Sequence, residues 1–353
     1  MAPPTPLTSR LFKRILPVLG IVGLGIAAAV YFGSRHLATV PEQIAAPARI
    51  AGGMLIDGVH QSAARDGRTE WVLDARSATY FPDEKKFQLS EPNVTFFRAD
   101  GQKLFLTARR GTVLTDSHDM DASEDVVIWN DTYRLETESI RYRYAERLIE
   151  SQNPVKVTTD TGDLSADTLS ANLKTNRMAF NGHVQGLLLT APSSTAGAPA
   201  ALPPPSATDK ARVRAEHLDV DLNTSAAEFS GHVHVVEKGS VITSDTLTVY
   251  TTQKGGQAAP AAGALSEAVI TKMIARGQVV IQTESSTARA DEAVYEPGSG
   301  RLTLSGRDTL LAGESATVRG HHMVISRREG HLTAEGKAPE RVKVVWVPQP
   351  RRP

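Results

Sequence analysis

Two histidines have a spacing that metal chemistry could use. His232 and His234 flank Val233, so on a β-strand both imidazoles lie on one face, where Zn²⁺ could bind them. No third ligand stands at a matching position, and His183 occupies the place of His232 in an earlier copy of a repeat. The sequence therefore favours a pair of surface strands, and it predicts no metal site and no cofactor.

An acidic segment has the oxygen ligands that Ca²⁺ prefers. Residues 116–125 include three aspartates before Glu124 and Asp125. They lack the mid-loop Gly and the bidentate Glu at the twelfth position that an EF-hand loop needs. The segment also coincides with the turn of one repeat unit, so a solvated hairpin is predicted.

A third arrangement is a carboxylate pair of the kind that polysaccharide hydrolysis needs. Asp219 and Asp221 lie one strand repeat apart, but they alternate with apolar residues and are predicted to face solvent. Gly-x-Ser-x-Gly, phosphate-binding Gly-rich loops and His-Glu-x-x-His are absent. The chain has no cysteine, which excludes disulfides and thiolate chemistry, and its formal net charge of zero shows no nucleic-acid footprint. A binder or conduit is predicted rather than an enzyme.

The elements that carry these residues belong to a repeat. A typical copy has a polar residue after a small one, an apolar residue two positions later, and Gly, Glu or Asn fifteen positions later; in the copy starting at Asp245 an insertion interrupts this spacing. From Arg109 onward, successive copies start 29 or 30 residues apart unless an insertion intervenes, which is typical of a repeat architecture. The polar residues that start the units are Arg76, Arg109, Glu138, Asp167, Glu216, Asp245, Asp291 and His321.

Within a unit the polarity predicts a strand, a turn and a second strand. Apolar residues at offsets two, four and six alternate with polar ones, as in Leu218, Val220 and Leu222. Turn formers follow, such as those at 223–225, and apolar residues return at offsets eleven and thirteen. All units therefore turn one apolar face the same way. No long amphipathic helix is predicted after residue 50.

Insertions separate some of the units. Residues 191–208 are rich in Ala, Pro, Ser and Gly and are predicted to be a linker, with four units before it and four after it. Residues 252–265 are a second insertion, rich in Gly and Ala. The predicted domains are a tail at 1–14, a membrane helix at 15–33, β modules at 48–190 and 210–348, and the linker between them.

An apolar segment near the amino terminus breaks the repeat pattern. Ile15 to Phe32 are eighteen uncharged residues, which at a rise of about 1.5 Å each approach the bilayer core of about 30 Å. More basic residues precede the segment than follow it closely, which places the amino terminus in the cytoplasm. The alternative is a cleaved signal peptide ending near 27–29. The anchor residues are Ile15, Leu19, Gly20, Gly25, Ala29 and Phe32.

The first half of the chain resembles a known family. A single amino-terminal membrane helix is followed by the strings at 53–59 (GMLIDGV), 71–80 (WVLDARSATY) and 89–95 (LSEPNVT). This order and spacing resemble LptC, the anchored periplasmic family of the lipopolysaccharide export machine, over about residues 10–190. After the linker, the strings at 274–281, 290–295 and 300–306 and the closing Arg341-Val342 resemble the LptA family with its OstA-like repeat.

The resemblance implies an all-β fold, in which the single transmembrane helix is followed by two antiparallel β-jellyroll modules with V-shaped, OstA-like sheets. It implies a hydrophobic groove for lipid acyl chains and modules that join by strand pairing. The candidate groove residues, drawn from the inward offsets, are Tyr80, Phe87, Leu89, Ile140, Tyr142, Leu169, Phe180, Leu218, Val220, Phe229, Leu247, Val249, Tyr295, Leu302, Leu304 and Met323.

The resemblance also implies partners and a location. The partners are lipopolysaccharide, the inner-membrane ABC transporter that supplies it, and a periplasmic bridge or outer-membrane assembly protein of the same fold. No Walker motif is present, so energy would come from a separate ATPase. The expected location is the inner membrane, single-pass, with the bulk of the chain in the periplasm of a Gram-negative bacterium. An envelope scaffold that binds no lipid is the alternative.

Overall fold

The computed structural model describes residues 53–65, 68–97, 103–131, 133–159, 162–189, 210–237, 239–253, 268–314, 316–326, 331–336 and 342–346. These residues form strands and turns, as the period-two pattern predicts, and the all-β class is confirmed for them. The predicted tail, membrane helix with its six anchor residues, and linker lie outside the described residues. No helix in the described ranges is long and apolar enough to cross a membrane.

The strands of the first half vary between long and short. They are β1 (Met54–Arg65), β2 (Arg68–Phe81), β3 (Lys86–Ser90), β4 (Asn93–Phe97), β5 (Lys103–Thr107), β6 (Arg110–Leu114), β7 (Met120–Trp129), β8 (Tyr133–Arg143), β9 (Leu148–Ser151), β10 (Val155–Thr159), β11 (Gly162–Ala166), β12 (Thr168–Asn172) and β13 (Arg177–Leu189). The predicted hairpin in the acidic segment is present, because the segment begins in the turn between β6 and β7 and continues into β7, which pairs with β6.

The strands of the second half are mostly long. They are β14 (Lys210–Asp221), β15 (Ala226–Glu237), β16 (Ser240–Gln253), β17 (Ala268–Thr283), β18 (Ser286–Glu296), β19 (Arg301–Gly313), β20 (Ala316–Ser326), β21 (His331–Glu335) and β22 (Lys343–Trp346). One boundary differs from the sequence prediction. Thr252 was assigned to the second insertion, but it pairs with Val269 and extends β16, because hydrogen bonding continues to the end of the partner strand.

All 22 described strands belong to one antiparallel sheet, which runs as a ribbon from β1 to the β21–β22 pair. From β13 to β20 each strand pairs with the next one along the chain. Earlier in the chain some positions in the ribbon are filled by two short strands end to end. Thus β3 and β4 both pair with β2, and β9 and β10 both pair with β8.

A line of β-bulges crosses the ribbon at the middle of its strands. The pairing register shifts between Asn181 and Val184 in β13, between Ser230 and Val233 in β15, and between Arg276 and Val279 in β17. Buried side chains from both sides of this line belong to one hydrophobic cluster. The ribbon is therefore folded lengthwise along this line of bulges into two layers that share an interior. We call the line of bulges the corner.

The corner explains the spacing of fifteen residues. Glu216 and Gly231 lie at corresponding positions of β14 and β15, and Gly231 has a φ of +80°, which a residue without Cβ adopts at low cost. The following residue, His232, also has a positive φ of 49°. The polar residue that starts each unit therefore stands beside the bulge of its neighbouring strand. The repeat found in the sequence marks this contact.

The hairpin turns lie along the edge of the ribbon opposite the corner, and they are stacked on one another. The N–H of Thr115 donates to the carbonyl of Lys85 at 2.9 Å, and the N–H of Leu222 donates to that of Asn176 at 3.0 Å. Equivalent bonds run from Leu173 to Arg147 and from Thr251 to Ser225. The accepting residues share a positive φ, so one turn geometry recurs and positions the next turn.

The strands on the two sides of the predicted linker pair with each other. β13 and β14 are antiparallel, from Arg177 opposite Asp221 to Leu189 opposite Lys210. Arg177 also forms an ion pair of 2.9 Å with Asp221 across this pairing. We call the β13–β14 pairing the joint. The ribbon, its corner and its interior therefore continue from one predicted module into the other.

Candidate functional site

The sixteen predicted groove residues all come from the layer between the corner and the turns. Eleven of them have side chains that are at most 5% exposed. Leu304 and Met323 are completely enclosed. The other nine buried residues are Leu89, Ile140, Leu169, Phe180, Leu218, Phe229, Leu247, Val249 and Leu302.

The other five candidates are only half-buried: Tyr80, Phe87, Tyr142, Val220 and Tyr295. Each lies one inward position farther from the corner than a fully buried neighbour, as Val220 does relative to Leu218. The rings of Tyr80 and Phe87 lie against each other with centroids 4.7 Å apart. The interior is therefore closed at the corner and more accessible toward the turns. This accessible side is the better location for a ligand.

The facing layer supplies a second apolar wall that the sequence interpretation missed. Val184, Val213 and Val233 are at most 2% exposed and belong to the same cluster as Phe180 and Leu218. They stand at offsets of minus three and plus seventeen from the polar residue that starts a unit. Other members of this wall are Leu73, Val94, Val126, Ile128, Leu135, Val155, Val157, Leu164, Val235, Val279, Ile281 and Val318.

The interior contains no buried charge among the described residues. Its buried polar side chains are serines and threonines whose hydroxyl groups are hydrogen-bonded. The hydroxyls of Thr137 and Ser151 lie 2.9 Å apart, and Thr309 donates to the carbonyl of His321 at 3.3 Å. Burying a hydroxyl costs little when it is hydrogen-bonded, so the interior is effectively apolar. Such an interior suits hydrocarbon chains and provides no acid, base or nucleophile.

The outer side of the corner carries exposed acid–histidine pairs. Nδ1 of His183 lies 2.7 Å from Oδ2 of Asp167, and Nδ1 of His232 lies 2.8 Å from Oε1 of Glu216. The hydrogen bond from the ring to Asp167, and then the attraction between the charges, raise the pKa of His183 above its ordinary value. Each pair therefore links two neighbouring strands at a bulge.

The zinc candidate suggested by the sequence falls at the bulge of β15, where His232 has a positive φ of 49°. Val233 is buried between His232 and His234, and His232 is held by Glu216 in the bulge. The described part of the chain contains no group of three His, Asp or Glu side chains that could hold a metal ion.

The carboxylate pair does not form a hydrolytic site. Asp221 accepts hydrogen bonds from the N–H groups of Asn223 and Thr224 and from Arg177. Desolvation alone would raise the pKa of Asp221, but these donors outweigh it and lower that pKa. Asp221 is thus an ionised turn cap, whereas Asp219 is exposed on the outer face.

A shallow concavity of about 580 Å³ lies next to the joint. Its lining includes the charged side chains of Glu136, Lys156, Asp163 and Arg212. These residues occupy the outward positions of their strands, between buried residues such as Val155 and Val157 in β10. The lining also includes Val155, Leu164 and Ala166, which are buried residues of the facing layer, so the concavity combines charged and apolar groups.

Both ends of the ribbon leave inward-facing apolar side chains uncovered. At one end β1 pairs only with β2 among the described strands, and Met54 and Ile56 are 61% and 39% exposed. At the other end Leu332 and Val344 are 43% and 47% exposed. An uncapped edge of this kind can accept a strand from another chain. The interior is open in both directions along the ribbon.

Comparison with known families assigns the two parts of the ribbon to one type of transport protein. Residues 36–189 match the family described as lipopolysaccharide-assembly, LptC-related, and residues 212–331 match the LptA/(LptD N-terminal domain) LPS transport protein family. The first part of the ribbon is therefore LptC-related, and the second part is an LptA-like module. The predicted resemblance is confirmed, and the chain has a role in lipopolysaccharide transport in the cell envelope.

Among solved structures, the chain is similar to LptH, the LptA-homologous periplasmic component of the lipopolysaccharide transport device of Pseudomonas aeruginosa. The identity is 18% and the TM-score 0.31, over 40% of this chain and 95% of LptH. No curated protein sequence matches the chain.

Proposed function

We propose that this protein is an inner-membrane-anchored periplasmic conduit, which accepts lipopolysaccharide from an ABC transporter and passes it toward the outer membrane. The observation that carries the proposal is the apolar interior, in which one cluster of buried residues spans the joint from Ala108 to Ile325 and a second, at the amino-terminal end, includes Leu89. Inward-facing residues run in register through both family-matching segments, and the joint connects them, as Phe180 lies opposite Leu218. Acyl chains transferred into such an interior avoid water at every step.

The direction follows from the order of the modules along the chain. The amino-terminal segment at 15–33 is the proposed anchor, so the module at 48–190 lies nearest the transporter and receives the lipid first. The module at 210–348 lies beyond the joint and hands the lipid on. The exposed edge at β21 and β22 is the proposed docking site for a partner of the same fold, which would continue the groove by strand pairing.

Transfer along this interior is passive. No group in the buried cluster can hydrolyse a nucleotide or exchange a proton with the lipid. Energy therefore comes from the ATPase of the transporter, and the conduit lowers the cost of exposing acyl chains between membranes. At about 0.8 kcal/mol for each CH₂ removed from water, one chain of a dozen carbons gains on the order of 10 kcal/mol from the groove.

In vivo photo-crosslinking tests the proposal. A photoreactive residue replaces Tyr142 in the first module, and Val220 or Tyr295 in the second, because these half-buried positions face the interior. Each should capture lipopolysaccharide. The matched control is Asp219, which is adjacent to Val220 but faces outward and should capture none. Adducts at Tyr142 alone would exclude the second module from the path, and adducts at none of the inward positions would favour a scaffold.

A further inference from the structure

The inward row next to the corner changes composition at the joint. We call this row the floor; it contains the first inward residue of each strand on the turn side of the corner. Across five neighbouring strands the floor is formed by large side chains that lie opposite one another in register and are at most 5% exposed. This Leu/Phe ladder consists of Leu169, Phe180, Leu218, Phe229 and Leu247.

The floor has smaller side chains on both sides of the ladder. Toward the amino terminus, its large residues in the described strands are Ile56, Leu89 and Ile140, and small residues lie between them. Toward the carboxyl terminus, the ladder ends at Leu247, which pairs with Ala275; Ala293 follows, and the row becomes large again at Leu304 and Met323. The small floor residues are Ala78, Gly111, Ala122, Ser151, Ala275 and Ala293.

The next inward row, nearer the turns, shows the opposite change. We call it the mouth row. At the joint its residues are Ala171, Met178, Val220, Ala227 and Val249, which pair in succession. Away from the joint the mouth row carries larger side chains, and aromatic ones are frequent. Examples are Tyr80, Phe87, Tyr142 and Tyr295.

The facing wall does not compensate for the ladder. Its row next to the corner alternates a small residue with Val at the joint, as in Ala215 and Val233, and does the same in the first module, as in Ala108 and Val126. At the joint, the larger volume of the ladder is therefore offset only by the smaller side chains of the mouth row. At the joint the large side chains therefore stand next to the corner, whereas beside the small floor residues of each module they stand in the mouth row.

We infer that the large side chains of the Leu/Phe ladder fill the floor at the joint. Acyl chains therefore cross the joint in the mouth row, against Ala171, Val220 and Ala227. This inference rests on the proposed conduit function. Within each module the chains reach the small floor residues, beneath the aromatic side chains of the mouth row. The ladder therefore limits how deeply, and thus with what length, an acyl chain can be inserted during passage between the modules.

A photoreactive lipid distinguishes the two depths. The full chain, purified with its membrane segment, is loaded with lipopolysaccharide that carries a diazirine at the ends of its acyl chains, and adducts are mapped by peptide mass spectrometry. In the wild type, adducts at the joint should fall on Val220 and Ala227, and those within the first module on floor residues such as Ala122. Joint adducts on Leu218 would overturn the inference.

Enlarging the space at the ladder supplies the second arm. In the Phe180→Ala/Phe229→Ala variant, joint adducts should move from Val220 to Leu218 by at least several-fold. The matched control is Leu304→Ala, a large floor residue outside the joint, which should leave the joint adducts on Val220. If the double Ala variant does not fold, Phe180→Leu/Phe229→Leu should give a smaller shift in the same direction, and no shift in a folded variant would overturn the inference. Absence of interior adducts in the wild type would instead contradict the conduit itself.

Discussion

Gly231 lies so close to Glu216 that a methyl group on its Cα would stand 2.6 Å from Cβ of that glutamate. Its φ of +80° is also unfavourable for any residue with a Cβ. The same contact recurs between Asp291 and Gly306, where an added Cβ would be 2.7 Å from the backbone nitrogen of Asp291. The corner thus depends on backbone-to-side-chain contact at each bulge.

Replacing this glycine should destabilise the fold. We expect Gly231→Ala to lower the free energy of unfolding by on the order of 3 kcal/mol, because backbone strain and overpacking add. Denaturant unfolding of the variant measures the change. Gly298→Ala is the control, since no atom lies within 4 Å of an added Cβ there and the variant should unfold like the wild type. Equal effects at both positions would contradict the role of the corner.

The pair of Asp167 and His183 should make stability depend on pH. A histidine whose pKa is raised in the folded state stabilises the fold while it is protonated. This contribution is complete below the unfolded pKa of about 6.5 and is lost as the pH rises through the folded value. The Asp167→Asn variant should therefore lose more stability, relative to the wild type, at about pH 5.5 than at about pH 8.5.

The measurement for this pair is thermal unfolding at both pH values, together with an NMR titration of His183. In Asp167→Asn the pKa of His183 should fall from its raised value, since the hydrogen bond and the opposite charge that raise it are weakened or removed. The control compares His183→Ala with Asp167→Asn/His183→Ala. The difference in stability between these two variants should be the same at both pH values. A pH-independent difference between the wild type and Asp167→Asn would refute the prediction.

The joint can be tested with a disulfide because the native chain has no cysteine. Gln185 and Arg214 are directly paired in the joint, and paired residues of antiparallel strands have Cα atoms within about 5.5 Å, which a disulfide can span. Gln185→Cys/Arg214→Cys should oxidise readily. After cleavage at a protease site placed in the 191–208 segment, the two halves should stay together on a non-reducing gel.

A second cysteine pair controls for random oxidation. His234 pairs with Arg214 on its other side, so Gln185 and His234 are two strand spacings apart, about 9.6 Å. That distance exceeds the reach of a disulfide without backbone movement. The cysteines of Gln185→Cys/His234→Cys should remain reduced, and after cleavage the two halves of the chain should separate on the non-reducing gel. Cross-linking of both pairs, or of neither, would contradict the register at the joint.

Burial should separate the packing residues from the lipid contacts. Leu304 is fully enclosed, so Leu304→Ala should cost about 3 kcal/mol of unfolding free energy. Tyr295 is half-buried on the mouth side, and Tyr295→Ala should cost less stability but weaken lipopolysaccharide binding several-fold. Denaturant unfolding and binding of purified full-length protein to fluorescent lipopolysaccharide give the two measurements. The prediction fails if Tyr295→Ala unfolds as easily as Leu304→Ala and binds like the wild type.

The sequence predicted the layer between corner and turns because its alternation is uninterrupted. Leu218 and Phe229, assigned to offsets two and thirteen, do lie opposite each other. The sequence pattern did not predict the facing wall, because the bulge interrupts this alternation. Ala215 and Leu218 both face inward although they are three positions apart in the sequence. Val213 and Val233 were therefore outside the pattern, although their fixed offsets would have revealed them.

The joint was beyond the reach of local patterns. β13 and β14 look like any other pair of neighbouring strands, but the 20 residues between Leu189 and Lys210 conceal that they are partners. Strand pairing across a long connection depends on backbone hydrogen bonds and shared burial, which a spacing rule does not record. The depth change at the ladder was likewise invisible until the register placed Phe180, Leu218 and Phe229 side by side.

The stacked turns give this protein a length that grows in fixed increments. In four contacts between successive units, a turn carbonyl of one unit accepts a hydrogen bond from an N–H of the next, as that of Lys85 does from Thr115 and that of Asn176 from Leu222. Two strands at about 4.8 Å each make one increment of about 10 Å. Duplicating a whole unit would lengthen the path between membranes without altering its cross-section, whereas losing a single strand would reverse every later chain direction.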